Sequence, residues 1–190
     1  MFAPLSVETA PAAARPMLAA SARKFGFVPA PVGAAAHSPP LLAHLLAGFG
    51  AFDRTGLTPF EREVVAMTVA FEHGCHYCMA MHTAMQADAP EVQPVVQALR
   101  EGRPLPDARL EALRGFALAV LRGRGRVPPE TLAAFTRAGY DEALALDVVL
   151  GVGVYVLSTF VNIVTDVALD PPFARFAWHP PHAAVAGQSA

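Results

Sequence analysis

Apolar residues recur along most of this chain at intervals of three and four, the spacing that lines up side chains on one face of an α-helix. Leu41, Leu42, Leu45, Leu46 and Phe49 form such a stripe within residues 39–52, and Leu110, Leu113, Phe116, Ala117 and Val120 form another after Pro106-Asp107. The same spacing predicts helices from Thr9 to Phe25, Thr58 to His73, Cys75 to Asp88, Ala89 to Arg100, Val127 to Gly139, and Tyr140 to Leu169. Their ends carry recognisable chemistry. Thr58-Pro59-Phe60-Glu61 is a capping box with proline at the first helical position, which accounts for Glu61. Gly26 ends the first helix, and Pro171-Pro172 blocks extension of the last. Residues 28–38, with Pro29, Pro31 and Gly33, read as a loop. No stretch alternates for long enough to predict a strand. The expected fold class is all-α, a bundle of about seven or eight helices in one domain spanning 1–190. Within it lie an N-terminal helix and loop (1–38), a central unit (39–100), C-terminal helices (101–178) and a flexible tail (179–190).

Composition changes that picture in two respects. The chain has 190 residues, of which 54% are hydrophobic and 16% charged, so part of the apolar surplus is expected to lie between subunits. The net charge of −2 comes without any basic block, which excludes nucleic acid as a partner. Arg122-Gly123-Arg124-Gly125-Arg126 is too short to alter this and reads as a solvated helix end, with Arg114 and Arg122 exposed. Val148 to Val164 carries no charge. It contains Ser158, Thr159 and Asn162, lies between Asp147 and Asp166, and reads as a buried helix rather than a membrane span. Gly151 and Gly153 within it predict close approach of another helix, since mid-helix glycine otherwise costs up to about 1 kcal/mol. The first residues hold no sustained apolar run, so the expected setting is cytoplasmic and reducing.

The chemistry gathers in Cys75-His76-Tyr77-Cys78-Met79-Ala80-Met81-His82, which holds both cysteines of the chain. At about 100° per residue, Cys75, Cys78 and His82 fall within an arc of roughly 60° on one helix face. Both sulfurs stand in the first turn, where free N–H groups and the helix dipole favour a thiolate. His82, one turn after Cys78, can take a proton or stabilise a thiolate. His76 and Tyr77 are further relay or pocket candidates. Glu63 shares a stripe with Met67, Ala70 and Gly74, so it should point inward and need a partner, for which His82 and the thiols are the candidates, a surface salt bridge being the rival reading. A redox pair is the favoured reading. A metal site built with His73 or His76, and two inert buried cysteines, are the rivals. His37 and His44 read as surface or packing residues.

The run from Leu57-Thr58-Pro59 through Glu61-Arg62-Glu63-Val64-Val65-Ala66-Met67, followed by Cys75-His76-Tyr77-Cys78 and His82, resembles the AhpD-like proteins of the alkylhydroperoxidase and carboxymuconolactone decarboxylase superfamily. The resemblance implies an all-helical fold assembled as homotrimers or homohexamers; no cofactor is expected, and no metal, since a second ligand cluster is not evident in the sequence. It implies thiol peroxidase or disulfide reductase chemistry on Cys75 and Cys78, with Glu63 and His82 as proton relay, a small-molecule peroxide as substrate and a dithiol protein as reductant. The position before the second cysteine, histidine in the best-known peroxidase members, is Tyr77 here, with His76 one place earlier. The spacing to His82 favours Cys78 as the attacking sulfur, and the first-turn position favours Cys75 equally. A decarboxylase-like enzyme using Glu63 and His82, and a non-catalytic redox sensor, are the alternatives.

Overall fold

A computed structural model describes residues 2–181. Among them are nine α-helices and two 3₁₀ segments, and no strand. The α-helices are α1 (Arg15–Phe25), α2 (Ala30–Ala35), α3 (Pro39–Phe52), α4 (Pro59–Glu72), α5 (His76–Met85), α6 (Gln93–Glu101), α7 (Ala108–Arg122), α8 (Pro129–Arg137) and α9 (Glu142–Thr165). The 3₁₀ segments are Pro90–Val92 and Pro171–Phe176.

The all-α class is as expected, and the differences in detail have local causes. α1 starts at Arg15 rather than Thr9, which places Pro16 in a first turn that needs no N–H from it. The expected loop at 28–38 contains α2, because Pro31 likewise falls in the first turn and the residues after it are small. α9 stops at Thr165, four residues before the expected end, where Asp166 turns left-handed with φ 48°. Pro171 and Pro172 then open a 3₁₀ segment instead of only ending a helix. Residues 182–190 of the expected tail lie outside the described residues.

α4 is the central element. Val64, Val65, Ala66, Met67, Val69 and Ala70 are all fully buried, because α5, α6, α7 and α9 pack around the helix on different sides. Its capping box forms as read from the sequence: Thr58 Oγ1 accepts from Glu61 N–H at 3.3 Å, and Glu61 Oε2 accepts from Thr58 N–H at 2.8 Å. A smaller core joins α1, α2 and α3 through Leu18, Ala35, Leu42 and Leu45, against Leu157 and Val161 of α9.

α9 is long and apolar enough, by length and composition, to cross a membrane. Its inner face (Val148, Gly151, Val152, Thr159, Asn162) packs on α3, α4 and α7 as a core helix does. The reading of a wholly buried helix needs correction, however. Leu146, Val149, Phe160, Ile163 and Val164 are exposed on its outer face, because no element among the described residues covers them. The two mid-helix glycines also differ. A Cβ on Gly151 would collide with the Phe52 ring of α3, the close approach expected. Gly153 faces no atom within 4 Å and borders an open cleft of ≈ 300 Å³.

Candidate functional site: a sealed dithiol

The site starts with a backbone device. At the end of α4, Gly74 turns left-handed with φ 66°. Its N–H bonds to Phe71 C=O at 3.0 Å and that of Cys75 bonds to Ala70 C=O at 2.9 Å, the paired closure of a Schellman motif. Cys75 thereby becomes the residue that closes α4 and also the N-cap of α5. Its Sγ accepts from the backbone N–H of Cys78 at 3.5 Å. Both cysteines are free thiols, and they are only 1% and 2% exposed.

A second element completes the sulfur environment. From α9, Asn162 donates through Nδ2 to Cys78 Sγ at 3.2 Å and to Cys75 Sγ at 3.6 Å. Ser158, one turn earlier, also hydrogen-bonds Cys78. The hydrogen bond from the Cys78 thiol lowers the Cys75 pKa to about 6, against the opposing effect of burial. The Cys78 N–H, Asn162 and the charge of His82 pull in the same direction. Cys78 is pushed well above the usual thiol range by its hydrogen bond to Cys75, by burial and by the neighbouring negative charge. The buried pair therefore holds one thiolate, on Cys75, with the Cys78 thiol donating to it.

Glu63 points inward, as its stripe requires, and meets His82: Nδ1 and Oε2 are 2.8 Å apart, with side chains 3% and 13% exposed. Burial opposes charge on His82, yet the Glu63 carboxylate outweighs it, and the Cys75 charge adds to the effect, so the imidazole pKa is raised. The ring packs edge-on against Tyr155 of α9 at 5.3 Å. Its Nε2 is buried and has no hydrogen-bond partner among the described residues. The direct His82–Cys78 contact suggested by one-turn spacing is therefore absent, and His82 acts on Cys75 through charge instead.

The two residues between the cysteines diverge. Tyr77 is buried, and its hydroxyl donates to Asp170 Oδ2 at 2.6 Å rather than approaching the sulfurs. Burial and Asp170 push its pKa far up, so it stays protonated. The same Asp170 oxygen accepts from Ala30 N–H at 2.9 Å, so one carboxylate ties α2, α5 and the segment after α9. His76 is half-buried in the first turn of α5. His73 turns away to Thr159 of α9, with Nδ1 and Oγ1 2.7 Å apart, and stacks on Phe160. No group of three or more His, Cys, Asp or Glu side chains converges to hold a metal among the described residues.

Three polar features escaped the sequence reading. Asn162 and Ser158 lie in a stretch whose hydropathy marked it only as apolar. Glu61 does more than cap: buried at 3% exposure, it also pairs with Arg109 and accepts from the Tyr140 hydroxyl at 2.9 Å. Arg114, expected on the surface, has a side chain only 15% exposed and pairs with Glu111 at 2.6 Å, whereas Arg122 is exposed as expected and pairs with Glu72.

A helical bundle with a Cys-x-x-Cys pair opening one helix and a glutamate–histidine pair beside it defines a class of thiol-bearing α-proteins. Residues 40–103 match the carboxymuconolactone decarboxylase family. That match covers about a third of the 190 residues, and beyond it the likeness to solved structures is one of fold. The fold is shared with an AhpD-core, peroxidase-related protein from Ralstonia eutropha JMP134 (TM-score 0.77, 22% identity, 91% of this chain and 95% of that one). It is shared with a peroxidase-related protein from Silicibacter sp. TM1040 (TM-score 0.72, 20% identity, 86% and 87%). It is also shared with the debrominase Bmp8 (TM-score 0.72, 17% identity, 93% and 95%). Among curated protein sequences none matches the chain.

Proposed function

We propose that the protein is a thiol-dependent peroxidase and disulfide oxidoreductase that reduces hydroperoxides through Cys75 and Cys78. The observation that carries this reading is the pair of buried free thiols at the start of α5, joined through the Cys78 N–H and Asn162, beside the buried Glu63–His82 pair. At neutral pH the pair offers a nucleophilic sulfur and a proton donor in one water-poor pocket.

The chemistry follows from those two groups. The Cys75 thiolate attacks the outer oxygen of a hydroperoxide. The O–O bond breaks, the alkoxide leaves with the proton of His82, and Cys75 becomes a sulfenic acid. The Cys78 sulfur then attacks Cys75, water departs, and a disulfide forms. A dithiol donor reduces it by two exchange steps, taking the disulfide into itself. One of the two protons that the dithiol donor brings returns to His82, and Glu63 favours that recharging and holds the ring in one orientation. Homo-oligomerisation, with a trimer or hexamer as the expected form, is supported by the bare outer face of α9 and can be read from solution mass. A cytoplasmic, reducing location suits a dithiol that must be regenerated.

Steady-state peroxide consumption with a supplied dithiol tests the proposal. Turnover lost in both Cys75→Ser and Cys78→Ser is the expected result. Oxidation that stops after one equivalent points to a redox sensor. An activity that survives loss of both sulfurs points to acid–base chemistry by Glu63 and His82 and overturns the proposal.

A further inference from the structure

α9 is long and largely apolar, yet it turns two polar side chains, Ser158 and Asn162, onto the dithiol. Asn162 is 3% exposed, and its Nδ2 lies within hydrogen-bonding distance of both sulfurs, 3.2 Å from Cys78 and 3.6 Å from Cys75. A carboxamide nitrogen carries two hydrogens, so it can serve both sulfurs at once. Neutral thiol and disulfide sulfurs are weak acceptors, whereas a thiolate takes a charge-assisted bond about twice as strong as a neutral one. A donor buried between the two sulfurs therefore discriminates between their redox and charge states.

We propose that Asn162 is a thiolate anchor: its carboxamide holds negative charge on whichever sulfur bears it, and so sets both the acidity of the pair and its dithiol–disulfide equilibrium. In the reduced protein the charge sits on Cys75, held by Asn162 and by the Cys78 N–H. When a dithiol donor reduces the disulfide, the donor's thiolate attacks one sulfur. The Cys75–Cys78 bond breaks and its electron pair passes to the other sulfur. The donor's second thiolate then attacks the mixed disulfide and releases the first sulfur. The donor ends as a disulfide, and the protein has gained two electrons and the donor's two protons. In each step the departing sulfur gathers charge within reach of the same N–H groups. Asn162 therefore favours the reduced form over the disulfide and makes the protein easier to reduce. This role rests on the dithiol cycling between its two states and does not depend on a peroxide being the oxidant.

The test uses the full chain with Asn162→Leu, which removes the donor, and Asn162→Asp, which keeps the shape but replaces the neutral donor by a negatively charged acceptor. Thiolate absorbance against pH and equilibration with a dithiothreitol redox buffer are read for each. Asn162→Leu is expected to lower the thiolate fraction about tenfold at a fixed pH well below the wild-type pKa, and Asn162→Asp by more. The exchange equilibrium moves toward the disulfide by about tenfold, equal to about 30 mV for this two-electron couple. Changes of less than about twofold in both readouts overturn the proposal. Should neither variant fold, isotope-labelled wild type decides. The Asn162 side-chain amide resonance must titrate with the midpoint of the thiolate absorbance and move on oxidation, and a silent resonance overturns the proposal. A protein that turns over no peroxide yet shows these shifts refutes the peroxidase reading and leaves the anchor standing.

Discussion

Replacing Glu63 by glutamine retains the shape and an acceptor for His82 Nδ1–H but removes the charge. In the wild type the two groups lie 2.8 Å apart, under a protein layer that leaves them 3% and 13% exposed. Charges whose centres are roughly 4 Å apart attract by about 4 kcal/mol at an effective dielectric constant of about 20. That attraction overcomes burial and raises the His82 pKa. The sign of the stability effect follows. A raised folded-state pKa contributes stability that is fully present below the unfolded value of about 6.5 and disappears as pH rises through the folded value, at about 1.4 kcal/mol per pH unit. In Glu63→Gln burial is opposed only by the smaller pull of Cys75, the ring is buried neutral, and stability falls as pH drops below about 6.5. The stability gap between wild type and variant should therefore widen as pH falls from about 8 to about 6, reaching about 3–5 kcal/mol, the usual cost of breaking a buried pair. Guanidinium unfolding followed by helical circular dichroism, at fixed protein concentration across that range, measures the gap. Curves that run parallel in pH would show that His82 carries no charge in the folded protein and would remove the proton donor from the mechanism.

Four further outcomes are expected. Peroxide-dependent sulfenic acid, trapped in single-cysteine variants, should form in Cys78→Ser with a rate that rises as Cys75 ionises, and more slowly in Cys75→Ser; trapping only in Cys75→Ser refutes the assignment. Glu61→Ala strips a cap and leaves Tyr140 and Arg109 without their buried acceptor, costing about 3–5 kcal/mol in denaturation while leaving thiolate absorbance unchanged. Gly151→Ala pushes a methyl into the Phe52 ring and should cost about 1–3 kcal/mol, whereas Gly153→Ala should gain up to about 1 kcal/mol, a difference in sign that thermal melts reveal. Asp170→Ala removes the acceptor of both Tyr77 and Ala30 and should lower stability by about 2–4 kcal/mol, with faster alkylation of both cysteines.

What could be read from the residues had local causes. The Thr58 cap, the helix stripes and the Cys-x-x-Cys pair each depend on partners a few positions away. Glu63–His82 was reachable despite nineteen residues of separation, because a charged side chain on an apolar stripe demands a partner and the adjoining helix offered one. Asn162 gave no such sign. It lies 84 residues from Cys78, and in an uncharged run its amide is one small polar group among many apolar ones. Nothing but the crossing of α9 over α4 and α5 aims it at sulfur. Arg109 and Tyr140 were hidden in the same way, 48 and 79 residues from Glu61, once the capping box had seemed to account for that carboxylate. The failure at α2 was of another kind: Pro29, Pro31 and Gly33 carry turn chemistry, but two prolines before or within a first turn are equally at home at a helix start.

The Asp170 carboxylate, which reaches back 93 residues to Tyr77 and 140 to Ala30, has a consequence during synthesis. On the ribosome both sulfurs emerge long before Asn162 and Asp170 exist. At about 5–20 residues per second they stay unshielded for roughly 5–20 s. A nascent chain stalled ahead of Asn162 should therefore react with a thiol-labelling reagent far faster than the released protein.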